Sequence, residues 1–283
     1  MDKTLKFKYT VGLTIAIILS ATVFSLFFLF GSNGIFGKVI APEQSKEAGQ
    51  TAVLITQTEE KTLLENAIKK YEEILASPYM ISVTKDNPLP ENYEPELTEL
   101  DGFPGIMLQT EAAQKLNEFL DEVRSQNIQF VVFAGYRTAE QQQQAYDQKR
   151  ESIVAAGFTD EDIIRQKTQL TTDLPGYSEY QTGLAVDVGQ TTSEIASEVV
   201  LTEFYKYAKE NIYKYGFILS MPENSYTGYE FMPWHFRYIG DPEQAKYINE
   251  KNLSLQSYKE YLQKQIQSNK YRLAEIETSS QSQ

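Results

Sequence analysis

Two short stretches of this 283-residue chain carry side chains that can bind a metal ion or move a proton. The first runs from Ser178 to Asp187 and contains Tyr180; the second, residues 232–238, reads Met-Pro-Trp-His-Phe-Arg-Tyr and contains His235. An aspartate at a strand end can act as a hard oxygen ligand, and imidazole is a common metal ligand. Two alternatives stay open from these residues alone. Asp187 can instead cap a following helix, and His235 can be a packed, hydrogen-bonded residue of an aromatic strand.

The composition narrows the possible chemistry. The chain contains one histidine and no cysteine. It therefore excludes a site with two histidine ligands, a thiolate nucleophile, disulfide bonds and cysteine-held zinc. The net charge of −13 argues against a nucleic-acid partner, because phosphate binding depends on clustered lysine and arginine. A content of 41% hydrophobic and 12% aromatic residues is typical of a folded protein.

The elements that must position these residues follow an apolar N-terminal segment. Residues 11–30 carry no charge, and twenty helical residues at about 1.5 Å each match the hydrocarbon core of a bilayer. Lys3, Lys6 and Lys8 precede the segment, which places residues 1–10 in the cytoplasm and the rest outside. A cleaved signal peptide is the alternative, but its apolar region is usually only about 7–15 residues long. We predict a retained, single-pass anchor in the cell membrane.

A linker and a stalk are predicted over residues 31–84. Residues 31–57 show little periodicity and indicate a spacer, whereas residues 58–76 carry apolar side chains at helical spacing from Leu63 to Leu75. The predicted role of this helix is a stalk packed on the domain. Self-association is the alternative, although only about two and a half heptads are present.

Residues 85–265 predict one domain of short helices and strands, followed by a C-terminal helix end and polar tail at 266–283. Helices are predicted at 110–127, 138–150, from about 159, at 202–215 and from 243 onward, and strands at 128–134, 184–188, 217–219 and 231–239. Because the strands are short and joined by loops, we predict an α+β fold with a mainly antiparallel sheet. The end of the chain, residues 278–283, is predicted to be disordered.

Together the two stretches resemble the metal-site segments of VanY-type D-alanyl-D-alanine carboxypeptidases, which are zinc peptidases of family M15, subfamily B. The family pattern is S-x-H-x-x-G-x-A-x-D, whose His and Asp bind zinc, followed by E-P-W-H or E-x-W-H, whose Glu is the general base and whose His is the third ligand. Matching positions hold Ser178, Gly183, Ala185, Asp187, Pro233, Trp234 and His235. Further matches are Asn87-Pro88-Leu89-Pro90 with Tyr93, Pro95 and Leu97, Gly135-Tyr136-Arg137 with Gln142, and Tyr215 to Leu219.

The resemblance covers much of residues 85–265 and implies the Hedgehog/D,D-peptidase fold, in which helices flank the sheet. It implies zinc held by Asp187 and His235, with Tyr180 as a doubtful third ligand. It also implies that Arg137, Gln142, Ser178 and Trp234 bind peptidoglycan stem peptides, with the first three near the terminal carboxylate and Trp234 lining the cleft.

Two positions depart from the family pattern. Tyr180 replaces the first zinc ligand, and its free pKa of about 10 makes a phenolate ligand costly near neutral pH. Met232 replaces the general base, and a thioether has no proton to exchange. Glu230 is expected on the same strand face, but about 6.6 Å away, too far to replace the missing carboxylate.

We therefore predict a zinc-free pseudoenzyme of the bacterial cell wall that binds stem peptide or a surface protein partner. One alternative is an active metallo-carboxypeptidase that uses zinc and removes the terminal D-amino acid of peptidoglycan peptides. Another is a structural component of a surface assembly that makes contacts through its helices.

Overall fold

The computed structural model describes residues 42–223 and 228–281. The predicted membrane anchor at 11–30 lies outside these residues, and within them no helix is long and apolar enough to cross a membrane. Contacts divide the chain into a first unit up to Glu60 and a second, compact unit, Lys61–Gln283. The residues predicted to form the site all belong to the second unit.

Helices and short strands alternate along the described part of the chain. The helices are α1 (Pro42–Ala76), α2 (Thr110–Ser125), α3 (Ala139–Ala155), α4 (Glu161–Thr168), α5 (Ala196–Val199), α6 (Glu203–Asn211), α7 (Pro242–Lys251) and α8 (Leu255–Gln281). The strands are β1 (Leu97–Glu99), β2 (Met107–Gln109), β3 (Val131–Ala134), β4 (Ala185–Gly189), β5 (Phe217–Leu219) and β6 (His235–Tyr238). Single 3₁₀ turns occur at Pro78–Met80, Glu179–Thr182 and Ile212–Tyr215.

A four-stranded sheet in the order β3-β4-β6-β5 carries the site, and every neighbouring pair in it is antiparallel. Asp187 on β4 lies opposite His235 on β6, and Ala185 lies opposite Arg237. Side chains directly opposite each other, and those two residues apart on one strand, point to the same face. Asp187, His235 and Arg237 therefore share one face. The prediction of an α+β fold with an antiparallel sheet is confirmed.

The other face of the sheet supports the main hydrophobic core. Val186 and Phe236 are buried there with residues of α2, among them Leu116 and Phe119. Each fully buried side chain of this kind stabilises the fold by about 1.5–3 kcal/mol. The site face is thus the front of a well-packed layer, which holds its polar side chains on rigid strands.

A second core joins the two ends of the folded unit. Met80, which follows α1, packs with Ile218 of β5 and with Leu255 and Leu262 of α8. The end of α1 also runs beside α8, where Lys61 pairs with Glu277 over 2.9 Å and Lys270 pairs with Glu72 over 2.8 Å. These exposed ion pairs contribute little energy. The buried apolar contacts hold the two helices together.

Several predicted boundaries are wrong. Helix α1 begins at Pro42 instead of residue 58, because the supposed spacer contains mostly good helix formers and a single glycine inside the helix, Gly49. Helix α8 continues to Gln281 through the stretch that we expected to be disordered, and Ile276 near its end is buried.

The predicted strand at 231–239 is also too long, since β6 begins only at His235. Pro233 lacks a backbone N–H, and the chain turns there, with His235 N–H donating to the carbonyl oxygen of Met232 over 3.1 Å. Consequently Met232 and Glu230 do not lie on one strand face, and the argument that placed them there is wrong.

Candidate binding and metal site

A 3₁₀ turn directly before β4 brings two site residues to the sheet. The turn spans Glu179–Thr182 and ends at Gly183, which has a φ of +68°. A Cβ atom at this glycine would lie only 2.7 Å from the Leu97 side chain, so both the backbone angle and the space require glycine. The hydroxyl of Thr182 fastens the turn by donating to the Glu179 carbonyl over 2.6 Å. The turn leaves Glu179 and Tyr180 next to the front face of β4 and β6.

Asp187 and His235 face each other across β4 and β6. Asp187 Oδ1 lies 2.8 Å from His235 Nδ1. The hydroxyl of Tyr180 donates to the other oxygen of Asp187, Oδ2, over 2.7 Å. The rings of Tyr180 and His235 meet edge to face, with centroids 4.9 Å apart. The structure thus brings together the three residues that the sequence placed at ligand positions.

Glu179 occupies the other side of the imidazole, and sequence reasoning missed it. Its Oε2 lies 3.1 Å from His235 Nε2 and accepts a 2.6 Å hydrogen bond from the Ser220 hydroxyl. Its Oε1 accepts from Arg237 Nη1 over 3.3 Å. All four side chains are buried. A glutamate one position before a ligand position has no spacing signal that predicts this partnership.

The buried charges of this network balance. Burial opposes protonation of His235, but its hydrogen bonds to Asp187 and Glu179 prevail and raise its pKa to about 9. Burial alone would raise the pKa of Glu179, whereas the hydrogen bond from His235 and the charge of Arg237 hold it below its usual range. Two carboxylates thus face one imidazolium and one guanidinium. Buried charges are stable in such an arrangement because each is paired and hydrogen-bonded.

Arg137 lies on the ring of Tyr180. Its guanidinium carbon is 3.9 Å from the ring centroid, a cation–π contact. One of its terminal nitrogens donates to Gln142 Oε1 over a long 3.4 Å, while the Gln142 amide donates to the backbone oxygen of Asp173 over 2.6 Å. The structure therefore places Arg137 against Tyr180 and Gln142 next to Arg137, so two of the predicted substrate-binding residues are neighbours.

The remaining predicted residues are packed in the interior. Ser178 is buried as the residue before the 3₁₀ turn, and its hydroxyl makes no capping hydrogen bond there. Trp234 and Met232 are both 5% exposed and pack in a third hydrophobic cluster with Tyr205. Glu230, in contrast, is exposed. Neither a carboxylate nor an open cleft wall is formed at the position of Met232.

Asp173 is a second residue that the sequence did not single out. Its Oδ2 accepts a 2.8 Å hydrogen bond from the Tyr229 hydroxyl, and its Oδ1 is buried without a partner among the described residues. Burial raises the pKa of Asp173 to about 7, even though the hydrogen bond from Tyr229 opposes this shift. Asp173 is thus a buried carboxyl group that holds a proton well above its usual range.

Comparison with known proteins identifies the family. A family model described as VanY, D-alanyl-D-alanine carboxypeptidase, matches residues 105–241. A D-alanyl-D-alanine carboxypeptidase of Enterococcus faecalis is 33% identical over 181 residues, which are 63% of this chain and 65% of that protein. The bifunctional D-Ala-D-Ala dipeptidase and carboxypeptidase VanXYC of Enterococcus gallinarum is 31% identical over 64% of this chain and 93% of that protein. The chain belongs to the VanY D-alanyl-D-alanine carboxypeptidase family.

Solved VanY structures share this fold. VanYB in complex with D-Alanine-D-Alanine matches with a TM-score of 0.56 and 32% identity, covering 64% of this chain and 96% of that chain. A mutant of the vancomycin resistance D,D-pentapeptidase VanY in complex with Zn(II) matches with the same TM-score and identity, covering 64% of this chain and 99% of that chain. The predicted resemblance to the VanY family is confirmed.

Asp187 and His235 are the two residues that the resemblance to the family implies as zinc ligands, and they lie side by side. A carboxylate on the far imidazole nitrogen, as Glu179 provides here, commonly supports a metal-binding histidine. Glu179 and Asp187 bind opposite ring nitrogens, so both cannot join His235 around one ion. Among the described residues, no group of three or more histidine, aspartate or glutamate side chains is arranged to hold a metal.

Tyr180 does not complete the set. Burial and the neighbouring Asp187 carboxylate raise the pKa of this phenol well above its usual value, which disfavours the phenolate that a metal would need. A catalytic zinc ion takes three protein ligands and leaves one position open for water. Among the described residues, Asp187, His235 and Tyr180 as they are arranged do not make up the three-ligand set of such a site.

Proposed function

We propose that this protein is a membrane-anchored, extracytoplasmic member of the VanY family that binds peptidoglycan stem peptides without hydrolysing them. One observation carries the proposal. Tyr180 stands at a ligand position, where its hydroxyl binds Asp187 over 2.7 Å and its ring supports Arg137 at 3.9 Å. The same side chain thus engages one oxygen of Asp187, a zinc ligand by resemblance, and builds a platform for a binding group.

Arg137 supplies the chemistry of binding. Within the part of the chain that the structure describes, no carboxylate lies within ion-pair distance of its guanidinium, and its side-chain hydrogen bond to Gln142 is long at 3.4 Å. A planar guanidinium binds a carboxylate through two parallel hydrogen bonds. The free carboxylate at the end of a stem peptide matches this fork. The VanYB complex with D-Alanine-D-Alanine supports a ligand of this class.

The loss of hydrolysis follows from what Tyr180 and Met232 lack. General-base help is typically worth about 10²–10⁴-fold in rate, and a buried thioether cannot provide it. Tyr180 is a neutral phenol whose O–H group donates a hydrogen bond to Asp187. It therefore directs a hydrogen atom, and no free electron pair, toward that carboxylate. A water molecule would therefore find no general base to deprotonate it and no complete set of metal ligands to activate it.

The location is part of the same proposal. The uncharged segment at 11–30 and the lysines before it support a single-pass anchor with the folded unit outside the cell. Stem peptides are then within reach of the site.

Calorimetry with the full chain in detergent micelles tests binding and hydrolysis together. We expect a pentapeptide that ends in D-Ala-D-Ala to bind with one site, while D-alanine release stays at the level of a protein-free control. Arg137→Gln should weaken binding at least about tenfold, since hydrogen bonds to charged groups are worth about 1.5–3 kcal/mol. The matched control is Arg150→Gln, because Arg150 forms an exposed ion pair with Glu161 at 2.7 Å. A peptide with a C-terminal amide should bind as weakly to the wild type as the free acid binds to Arg137→Gln.

A double variant tests the silenced chemistry. Tyr180→His with Met232→Glu restores both family residues, and we expect it to gain about one zinc per chain together with D-alanine release. The competing function is an active metallo-carboxypeptidase. A wild-type protein that holds one zinc and already releases D-alanine would establish that function and refute ours.

A further inference from the structure

We propose that a second cavity, behind the imidazole of His235, binds a small zwitterion such as a free amino acid or a short peptide. The cavity has a volume of about 500 Å³ and is lined by Glu179 and Ser220 on one side and by the start of α8 on the other. Tyr180 and Asp187 are not among the residues that line it, and His235 and Glu179 stand between it and Asp187. This proposal does not depend on the proposed function of the first site.

The inner wall of the cavity carries an unneutralised cation. Lys259 is half-buried, and its ammonium donates to the backbone oxygen of Met80 over 2.8 Å. An ammonium group has three donors, so two remain for a ligand. In the described ranges 42–223 and 228–281, no carboxylate lies within ion-pair distance of Lys259. Glu179 does not offset this charge, because Arg237 and His235 already hold its two oxygens.

The mouth of the same cavity carries the opposite charge. Asp86 and Glu260 line the cavity and are exposed, and neither forms an ion pair with another described residue. Glu260 accepts only an amide hydrogen bond from Gln256, at 2.9 Å. A simple anion would meet repulsion at the mouth, and a simple cation would meet repulsion at Lys259. A zwitterion satisfies both ends if its carboxylate points inward and its ammonium points outward.

The rest of the lining suits a peptide group. The hydroxyl of Ser82 donates to the Gln256 side chain over 2.9 Å, so both polar groups are held in place at the wall, and Asn87 lies on the same wall. A pocket of this volume falls within the range of about 300–1,000 Å³ that is typical of small-molecule sites. Charge separation, polar walls and size therefore agree on one class of ligand.

Calorimetry on the full chain carrying Arg137→Gln tests this site, because that background weakens the first site. The probe is L-alanyl-L-alanine. We expect measurable binding that falls at least fivefold with Lys259→Gln and at least fivefold with the double change Asp86→Asn and Glu260→Gln. Lys264→Gln is the matched control, since Lys264 is an exposed lysine of the same helix and does not line the cavity. N-acetylation of the probe should weaken binding like the acidic double change, and C-terminal amidation should weaken it like Lys259→Gln.

Three outcomes would overturn the proposal: no binding of the zwitterionic probe, equal binding of the acetylated probe, or equal loss with Lys264→Gln. Circular dichroism checks the fold of each variant. If Lys259→Gln does not fold, the double change at the exposed mouth and the two modified probes still decide the matter. Weaker binding in these experiments supports the site, and an unchanged affinity refutes it.

Discussion

Tyr180 shows how one side chain can change the task of its neighbours. A phenol with a high pKa gives Asp187 a hydrogen-bond donor, and the ring gives Arg137 a surface on which to lie. An imidazole at this position would instead offer an electron pair to a metal. Tyr180 therefore acts on Asp187 through a hydrogen bond and on Arg137 through its ring.

Asp173 makes the stability of the fold depend on pH. The pKa of Asp173 is about 7 in the folded protein, against about 3.9 in an unfolded chain. Between these values the folded state binds more protons than the unfolded state, so the free energy of unfolding falls as the pH rises from about 4 to about 7. Above that range the burial penalty of the charged carboxylate is fully present.

Asp173→Asn should remove this dependence. We expect the variant to exceed the wild type in unfolding free energy by on the order of 2 kcal/mol at pH 8 and to lose that advantage at pH 4. Urea unfolding across this range measures it, with Asp101→Asn as a control because Asp101 is exposed. Equal pH profiles for wild type and Asp173→Asn would contradict the assignment.

The family pattern led to Asp187, His235 and Arg137. The structure brings Asp187 and His235 into contact and places Arg137 on the ring of Tyr180, while the roles of the three residues stay predictions. Glu179 and Asp173 could not be predicted, because a buried carboxylate is recognised only by the partners that folding brings to it. Those partners are 41 to 58 residues away for Glu179.

At the scale of elements, Gly216 sets the angle between α6 and β5. Its φ is +77°, and a Cβ atom there would lie 2.6 Å from the backbone oxygen of Gly240. The predicted helix at 202–215 ends just before this glycine; in the structure α6 ends at Asn211 and a 3₁₀ turn continues to Tyr215. The close approach also fixes β5 beside the end of β6, and β6 carries His235.

Gly216→Ala should lower the unfolding free energy by about 3 kcal/mol or more, because backbone strain and a steric clash add. Gly157→Ala is the matched control. Gly157 also has a positive φ, +96°, but nothing lies within 4 Å of a Cβ atom there, so only the strain, about 1–2 kcal/mol, is expected. Similar losses of unfolding free energy for both variants, measured by urea unfolding, would show that the close contact with Gly240 adds no cost beyond the backbone strain.

Element types were predicted better than element ends. The sequence predicted α2 and the short strand β5, and the helix predicted at 138–150 begins with a capping box between Thr138 and Gln141. The ends of α1, α8 and β6 were missed for different reasons. Polar residues can continue a helix that packs on one side, whereas a proline turn such as that at Pro233 shortens a strand that looks continuous by hydrophobicity.

At the scale of the whole molecule, the second core closes the folded unit by joining its two ends. Met80 is buried, and the carbonyl groups of Tyr79 and Ile81 accept hydrogen bonds from the fully buried Arg237. The boundary predicted at residue 85 would remove all three residues. No local sequence pattern predicts this junction, because the contacts span more than 150 residues.

A fragment of residues 85–265 should therefore be less stable than a fragment of residues 61–281. We expect a loss of at least about 3 kcal/mol, since Arg237 would be left buried with fewer partners and the second core would lose Met80. Chemical unfolding of both fragments measures the difference. Equal midpoints and slopes would mean that the junction adds nothing to the fold.

The segment Tyr79–Ile81 also gives the fold a mechanical property. Its three consecutive carbonyl groups accept hydrogen bonds from two cationic side chains, Arg237 on β6 and Lys259 on α8. Tension applied along α1 would reach the sheet through these hydrogen bonds, and it would load several of them in shear at the same time. Arg237 also donates a hydrogen bond to Glu179, which contacts His235. Such a force would therefore act first on Arg237 and Glu179, the groups that support the imidazole.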